Sequence, residues 1–175
     1  MSSSALALRQ RAHDVRMLGR GTLVAFALVW WALIAWLSAV PSLGTEGGGL
    51  TAHVLLNAGH APLFGVLAAG IAFAAAARAP RPVPGIAACA LALVATFVAG
   101  GIDELHQAFV PGRTSSWLDV ATDTVGAAVV LLGLRYLASP RSTLAGFALR
   151  VVGGAAVMLA SGIAATTYEI RNFPQ

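Results

Sequence analysis

Apolar residues run along this chain in long blocks, broken by short polar turns. The first block, TLVAFALVWWALIAWLSAV, spans Thr22 to Val40 and is closed by Pro41. The second runs from about Val54 to Ala77 and carries Asn57, His60 and Pro62 near its start. The third is Gly85 to Ile102, the fourth about Trp117 to Ala138, and the fifth about Leu144 to Ala165 with Arg150 near its beginning. Roughly 20 apolar residues of helix cross a bilayer core, and each block reaches or approaches that length. The connections PSLGTEGGG, RAPRPVPG, FVPGRTSS and SPRS are rich in turn-forming residues. The pattern predicts an all-α fold, a polytopic membrane bundle of about five transmembrane helices. The first block is expected to be a retained helix, because its apolar run exceeds the ~7–15 residues of a cleaved signal and no small-x-small site follows.

Composition supports this reading. The chain has 175 residues, 58% hydrophobic and 10% charged, too few charges to cover a soluble domain. One compact bundle is expected: a basic segment over residues 1–20, the bundle over 21–168 and a short tail over 169–175. The lone Cys89 excludes an internal disulfide and is expected to pack as a small hydrophobe.

Charge adds orientation. All 11 basic residues are Arg. Arg9, Arg11, Arg16 and Arg20 precede helix 1, Arg78 and Arg81 lie between helices 2 and 3, and Arg135, Arg141 and Arg150 surround the helix 4–5 connection. Only Arg113 and Arg171 fall on the other side. The positive-inside rule makes the first side cytoplasmic, with the N-terminus in and the C-terminus out. The pI near 10.6 then reflects inner-leaflet anchoring rather than nucleic-acid binding, and membrane lipid is the expected partner.

This topology gathers polar residues that are distant in sequence. Asn57 and His60, spaced i, i+3, lie in the first turns of helix 2. Asp103, Glu104 and Gln107 lie at or just past the end of helix 3, and Asp119 and Asp123, spaced i, i+4, in the first turns of helix 4. All share one depth near the outer interface, where Trp117 suits an aromatic anchor. Gly126 and Gly133 continue the Asp119–Asp123 face and would admit a close neighbouring helix. Pro62 is placed in a first turn, where it is tolerated.

Each polar residue also has a plainer reading. His60 can be a hydrogen-bonded packing residue; Glu104, His106 and Gln107 a solvated loop; Asp119 a helix-start acid beside the caps Thr114, Ser115 and Ser116. Asp123 is harder to place so, since a carboxylate within a span faces a cavity or a partner. Arg113 is the expected partner, and an Arg–Asp clasp stands beside a functional pocket as an alternative. His60, Glu104, Asp119 and Asp123 are suitable ligand types, but no HExxH or CxxC signature accompanies them, so neither a metal nor a cofactor is expected. No phosphate loop or nucleophile elbow is present.

Three pieces together carry a resemblance: NAGHAPLFGVL (Asn57 to Leu67), DELHQAFVPGR (Asp103 to Arg113) and DVATDTVG (Asp119 to Gly126). This combination resembles the VanZ-like family of small bacterial membrane proteins, over a core of about residues 50–133. The resemblance places the family's polar signature on His60, Asp103, Glu104, Gln107, Arg113 and Asp119. It implies a role in the cell envelope, with low-level glycopeptide (teicoplanin) resistance as the founding phenotype. Two departures stand out: Asn57-Ala58 where members often have Asp-Lys, and Asp123 where they typically have Asn. The second adds a negative charge that calls for protonation, tighter pairing with Arg113 or a bound cation.

Three functions follow as expectations. The first is a non-enzymatic envelope protein whose outward polar pocket, made by Asn57, His60, Asp103, Glu104, Gln107, Arg113, Asp119 and Asp123, binds an envelope precursor or lipid-linked polymer. The second is an intramembrane enzyme acting on a lipid-linked substrate, with His60, Glu104, Asp119 and Asp123 as candidate acid/base residues and Arg113 holding an anion. The third, a transporter, is disfavoured by the absence of an internal repeat.

Overall fold

A computed structural model defines residues 10, 19–40, 49–77, 83–113 and 115–172, with all side chains among them except those of 49–53, 55–57, 169, 170 and 172. Five helices follow in order: α1 (Arg20–Ser38), α2 (Gly49–Ala76), α3 (Ile86–Gln107), α4 (Trp117–Ala138) and α5 (Leu144–Asn172). All five contain stretches long and apolar enough to cross a membrane, and no strand occurs among the described residues. The chain is therefore an all-helical, multi-pass membrane protein. Arg9, Arg11, Arg16, Arg78, Arg81 and Thr114 lie outside the described residues.

Two boundaries differ from expectation, for one reason. α2 starts at Gly49 rather than near Val54, so Pro62 lies in the helix interior and not in a first turn. α3 continues through Gln107 rather than ending at Ile102. Hydropathy marks the apolar stretch, whereas a nucleated helix gains a backbone bond with each added residue and extends through polar ones. Asp103, Glu104 and Gln107 are consequently helical and buried, while His106 between them is exposed.

α2 is the centre of the bundle and packs against each of the other four helices. Its inner positions Ala61, Phe64, Leu67, Ala68 and Ala72 are buried. The small ones let neighbours come close, which matters in lipid, where packing rather than water exclusion joins helices. The tightest approach is to α4: a Cβ on Gly126 would overlap the Ala61 carbonyl. The expected extension of this seam to Gly133 does not occur. A Cβ on that residue would meet only the Phe147 side chain of α5, at 3.9 Å. Cys89 joins the core with Ala68, Ala72, Ala92, Ala127 and Leu131, as a small hydrophobe should.

Alternation of helix direction puts the end of α3, the start of α4 and the end of α1 at one end of the bundle, the polar end. The opposite end carries Arg135, which donates to the Pro84 carbonyl at 3.1 Å, and Arg150, stacked over Tyr136 at 3.7 Å.

Candidate functional site

The polar end is built around Gln107. Asp103, Glu104 and Gln107 sit at i, i+1 and i+4 on α3, so all three turn inward. Gln107 Nε2 donates to Asp103 Oδ2 at 2.8 Å and to Glu104 Oε1 at 3.2 Å. Its Oε1 accepts from Arg113 Nε at 3.2 Å and Nη2 at 2.9 Å. The amide's two donors and two lone pairs are all engaged, which fixes its orientation.

Arg113 reaches this position through the turn that follows α3. Arg113 N–H donates to the Val110 carbonyl at 3.1 Å, closing Val110-Pro111-Gly112-Arg113. Gly112 has φ +77, the conformation a type II turn requires at its third residue, with Pro favoured at the second. The turn folds the chain back over α3 and lays the guanidinium on Gln107. Arg113 thus reaches Asp103 and Glu104 through the Gln107 amide.

Glu104 also holds the start of α4. Its Oε2 accepts the Ser116 backbone N–H at 2.6 Å. Ser116 is the N-cap, its hydroxyl accepting from Leu118 N at 3.2 Å. In a capping box the N-cap N–H would bond the side chain three residues on, here Asp119; Glu104 takes it instead. Of the candidate caps in the TSS stretch, Ser116 is the one used.

α1 contributes a residue that hydropathy gives no reason to select. Ser38 Oγ donates to Asp103 Oδ2 at 2.8 Å, and Ser38 is buried. Its only sequence signal is being the lone hydroxyl at the far end of an otherwise apolar run.

The deepest member is Asp123. It is 0% exposed, and neither carboxyl oxygen has a hydrogen-bond partner. His60 Nδ1 lies 3.7 Å from its Oδ1. The imidazole stacks against Phe64, with ring centroids 6.2 Å apart, and keeps 17% of its side chain accessible. Room for the Asp123 carboxyl comes from α3, where a Cβ on Gly100 would stand 3.2 Å from Oδ2. Asp119, Glu104 and Asp103 are its charged neighbours. The structure thus brings His60, Asp103, Glu104, Gln107, Arg113, Asp119 and Asp123 to one end of the bundle. Asn57 lies in α2 with its side chain outside the described set.

The chemistry available is that of a carboxyl-rich site with one guanidinium and one imidazole. The His60–Asp123 pair has the form of a base and its orienter, with Asp123 on the Nδ1 side and Nε2 directed elsewhere. Among the described residues, no group of three or more His, Cys, Asp or Glu side chains is arranged to hold a metal ion.

The family model described as VanZ/LLP1 matches residues 6–138, which includes α1 through α4 and every residue of this site. No curated protein and no solved structure matches the chain significantly.

Proposed function

The chain belongs to the VanZ/LLP1 family, and on that premise we propose that it is a bacterial cell-envelope protein whose polar end faces out of the cell and binds the head group of an envelope component, contributing to glycopeptide resistance of the teicoplanin type. The observation that supports this most is the convergence of buried acids from α3 and α4 on His60 of α2, with unpartnered carboxyl oxygens at its centre. Buried polar groups are normally satisfied, and those left over in a native structure mark a place for something that is not protein. The outward orientation rests on arginine: Arg135, Arg141 and Arg150 lie at the opposite end, which the positive-inside rule assigns to the cytoplasm.

The test is single replacement of His60, Glu104, Arg113 and Asp123 by Ala, with teicoplanin susceptibility and membrane expression both measured. Increased susceptibility at unchanged expression is the expected result. Survival of expression and phenotype through all four changes defeats the reading.

One observation favours a second reading, an intramembrane enzyme acting on a lipid-linked substrate. His60 and Asp123 stand 3.7 Å apart, slightly beyond hydrogen-bond length, in the relation of a general base and the carboxylate that orients it. Such contacts are often long before substrate binds. In that mechanism His60 Nε2 takes a proton from the attacking group and returns it to the leaving group, while Arg113 stabilises the anion that forms. Untargeted lipid and precursor profiling separates the two. An enzyme predicts the same accumulating species in a deletion strain and in a His60→Gln strain; a binding protein predicts none.

A further inference from the structure

At the end of the bundle opposite the acids, one arginine stands within a membrane span on its lipid-facing side. Arg150 lies in the apolar stretch of α5, about 9 Å along the helix from Leu144. It is exposed, and so are its neighbours Leu149, Val151 and Val152. The acids of α3 and α4 are a bundle length away, and among the described residues no carboxylate pairs with Arg150. Its guanidinium makes one hydrogen bond there, from Nη1 to the Gly146 carbonyl at 3.0 Å, which engages one of five N–H donors. A charge at the edge of the hydrocarbon region calls for a partner, and the bundle supplies no anion.

The guanidinium is held in place. It stacks over the Tyr136 ring at 3.7 Å. Tyr136 is fixed in turn by Thr143, whose N–H donates to the phenol oxygen at 3.0 Å. A Cβ on Gly146 would overlap that hydroxyl, so the ring lies there only because residue 146 is glycine. The bond to Gly146, one turn back, directs the side chain toward the start of α5, and its long stem carries the charge to the interface. The donors left over form a planar fork of the shape that phosphate accepts.

The same arginine lines an apolar groove. A cavity of about 260 Å³ opens between α4 and α5, and Arg150, Gly133, Phe147, Ala155 and Met158 are among its walls. From Arg150 the α5 wall continues through Ala155 to Met158, about 12 Å farther into the bilayer. The α4 wall runs from Gly133 to Val129 in the same direction, since the two helices are antiparallel. Gly133 leaves the floor open, because a Cβ there would meet only Phe147, at 3.9 Å. A cation at the mouth of an apolar slot matches a phosphate with an acyl chain beneath it. A zwitterionic lipid brings an ammonium along with its phosphate, and the guanidinium repels it; an anionic lipid brings the phosphate without that opposition.

We propose that the α4–α5 groove binds an anionic phospholipid from the leaflet at the arginine-bearing end, its phosphate on Arg150 and one acyl chain between Gly133 and Ala155. This site is remote from the acids and does not depend on the function proposed for them.

Chain-spin-labelled phosphatidylglycerol and phosphatidylcholine test it on the purified full-length protein in bilayers. The protein-immobilised fraction should favour phosphatidylglycerol. Arg150→Gln should lower that preference by on the order of fivefold, the effect of one basic residue beside an anionic lipid. Arg141→Gln removes the same charge from the same end, outside the groove, and should lower it clearly less. Gly133→Leu keeps every charge but fills the groove, and should also lower the preference. The absence of a preference in the wild type overturns the proposal. Equal losses in Arg150→Gln and Arg141→Gln do so too, since they mean a general attraction to the arginine-rich face. A preference untouched by Gly133→Leu takes the chain out of the groove and defeats it as well. So does disulfide linkage of Ala155→Cys to a second copy in the bilayer, which gives the groove to a dimer. The wild-type and Gly133→Leu measurements stand whether or not Arg150→Gln folds.

Discussion

Two glycines seven residues apart on α4 give a matched measurement of the seam that carries the site. Gly126→Ala places a methyl group on the Ala61 carbonyl, backbone against backbone, so the two helices must separate. Gly133→Ala places the same methyl group against the Phe147 ring edge at 3.9 Å, an ordinary contact. Both substitutions share the gain of about 1 kcal/mol from replacing helical Gly with Ala, so their difference isolates packing. Overpacking a well-filled interior costs about 1–3 kcal/mol, and rigid backbone on both sides places this case toward the upper end. For a chain of this length 1 kcal/mol moves the midpoint by roughly 2–4 °C. Gly126→Ala should therefore unfold roughly 2–12 °C below Gly133→Ala, read by thermal scans in mild detergent with size-exclusion detection. Midpoints agreeing within about 1 °C would refute the close α2–α4 approach. The site should respond with the seam, because Ala61 adjoins His60 and Gly126 lies one turn from Asp123. Gly126→Ala should thus weaken the phenotype of a His60-dependent function more than Gly133→Ala does.

Gly112→Ala forces a residue with a Cβ to φ +77, a cost of about 1–2 kcal/mol; limited proteolysis between Phe109 and Ser116 should speed up by roughly tenfold, and an unchanged rate would count against the type II turn. Asp123→Asn replaces a buried carboxyl that accepts no hydrogen bond with a neutral group of equal size. Its thermal midpoint should match or exceed that of the parent, and a clear fall would mean that Asp123 holds an ion pair essential to the fold.

The five helices were legible because each leaves a long, mostly apolar record, and Trp117 to Ala138 coincides with α4 at both ends. What hydropathy hides is helix that is polar on purpose. Asp103, Glu104 and Gln107 lower the local average enough to suggest a helix end, yet their i, i+1, i+4 spacing is that of one helical face, and they continue α3. The same averaging delays the start of α2 past Gly49. At the site, the convergence of α2, α3 and α4 followed from alternating helix direction alone. The partners did not. Arg113 was expected on an aspartate, whereas the Pro111-Gly112 turn sets it down on Gln107, and no count of charges reveals which way a turn folds. Asp123 instead meets His60, which alternating helix direction had already placed at its depth. Ser38 was invisible because one serine ending an apolar run reads as a boundary.

The bond from Glu104 to the Ser116 N–H bears on how the protein is made. The first turn of α4 is anchored by a side chain only 12 residues earlier, and the Arg113–Gln107 contact spans 6. These are short loop closures, formed quickly and without waiting for distant segments. The α3–turn–α4 hairpin can thus enter the bilayer as a preassembled unit, with Asp103 and Glu104 already accepting from Gln107 and Glu104 from the Ser116 N–H. α2, inserted earlier in synthesis, then supplies His60 to a hairpin whose polar end is complete. A ribosome stalled after α4 has emerged should already display the Glu104–Ser116 closure to cross-linking, while α5 is still inside the exit tunnel.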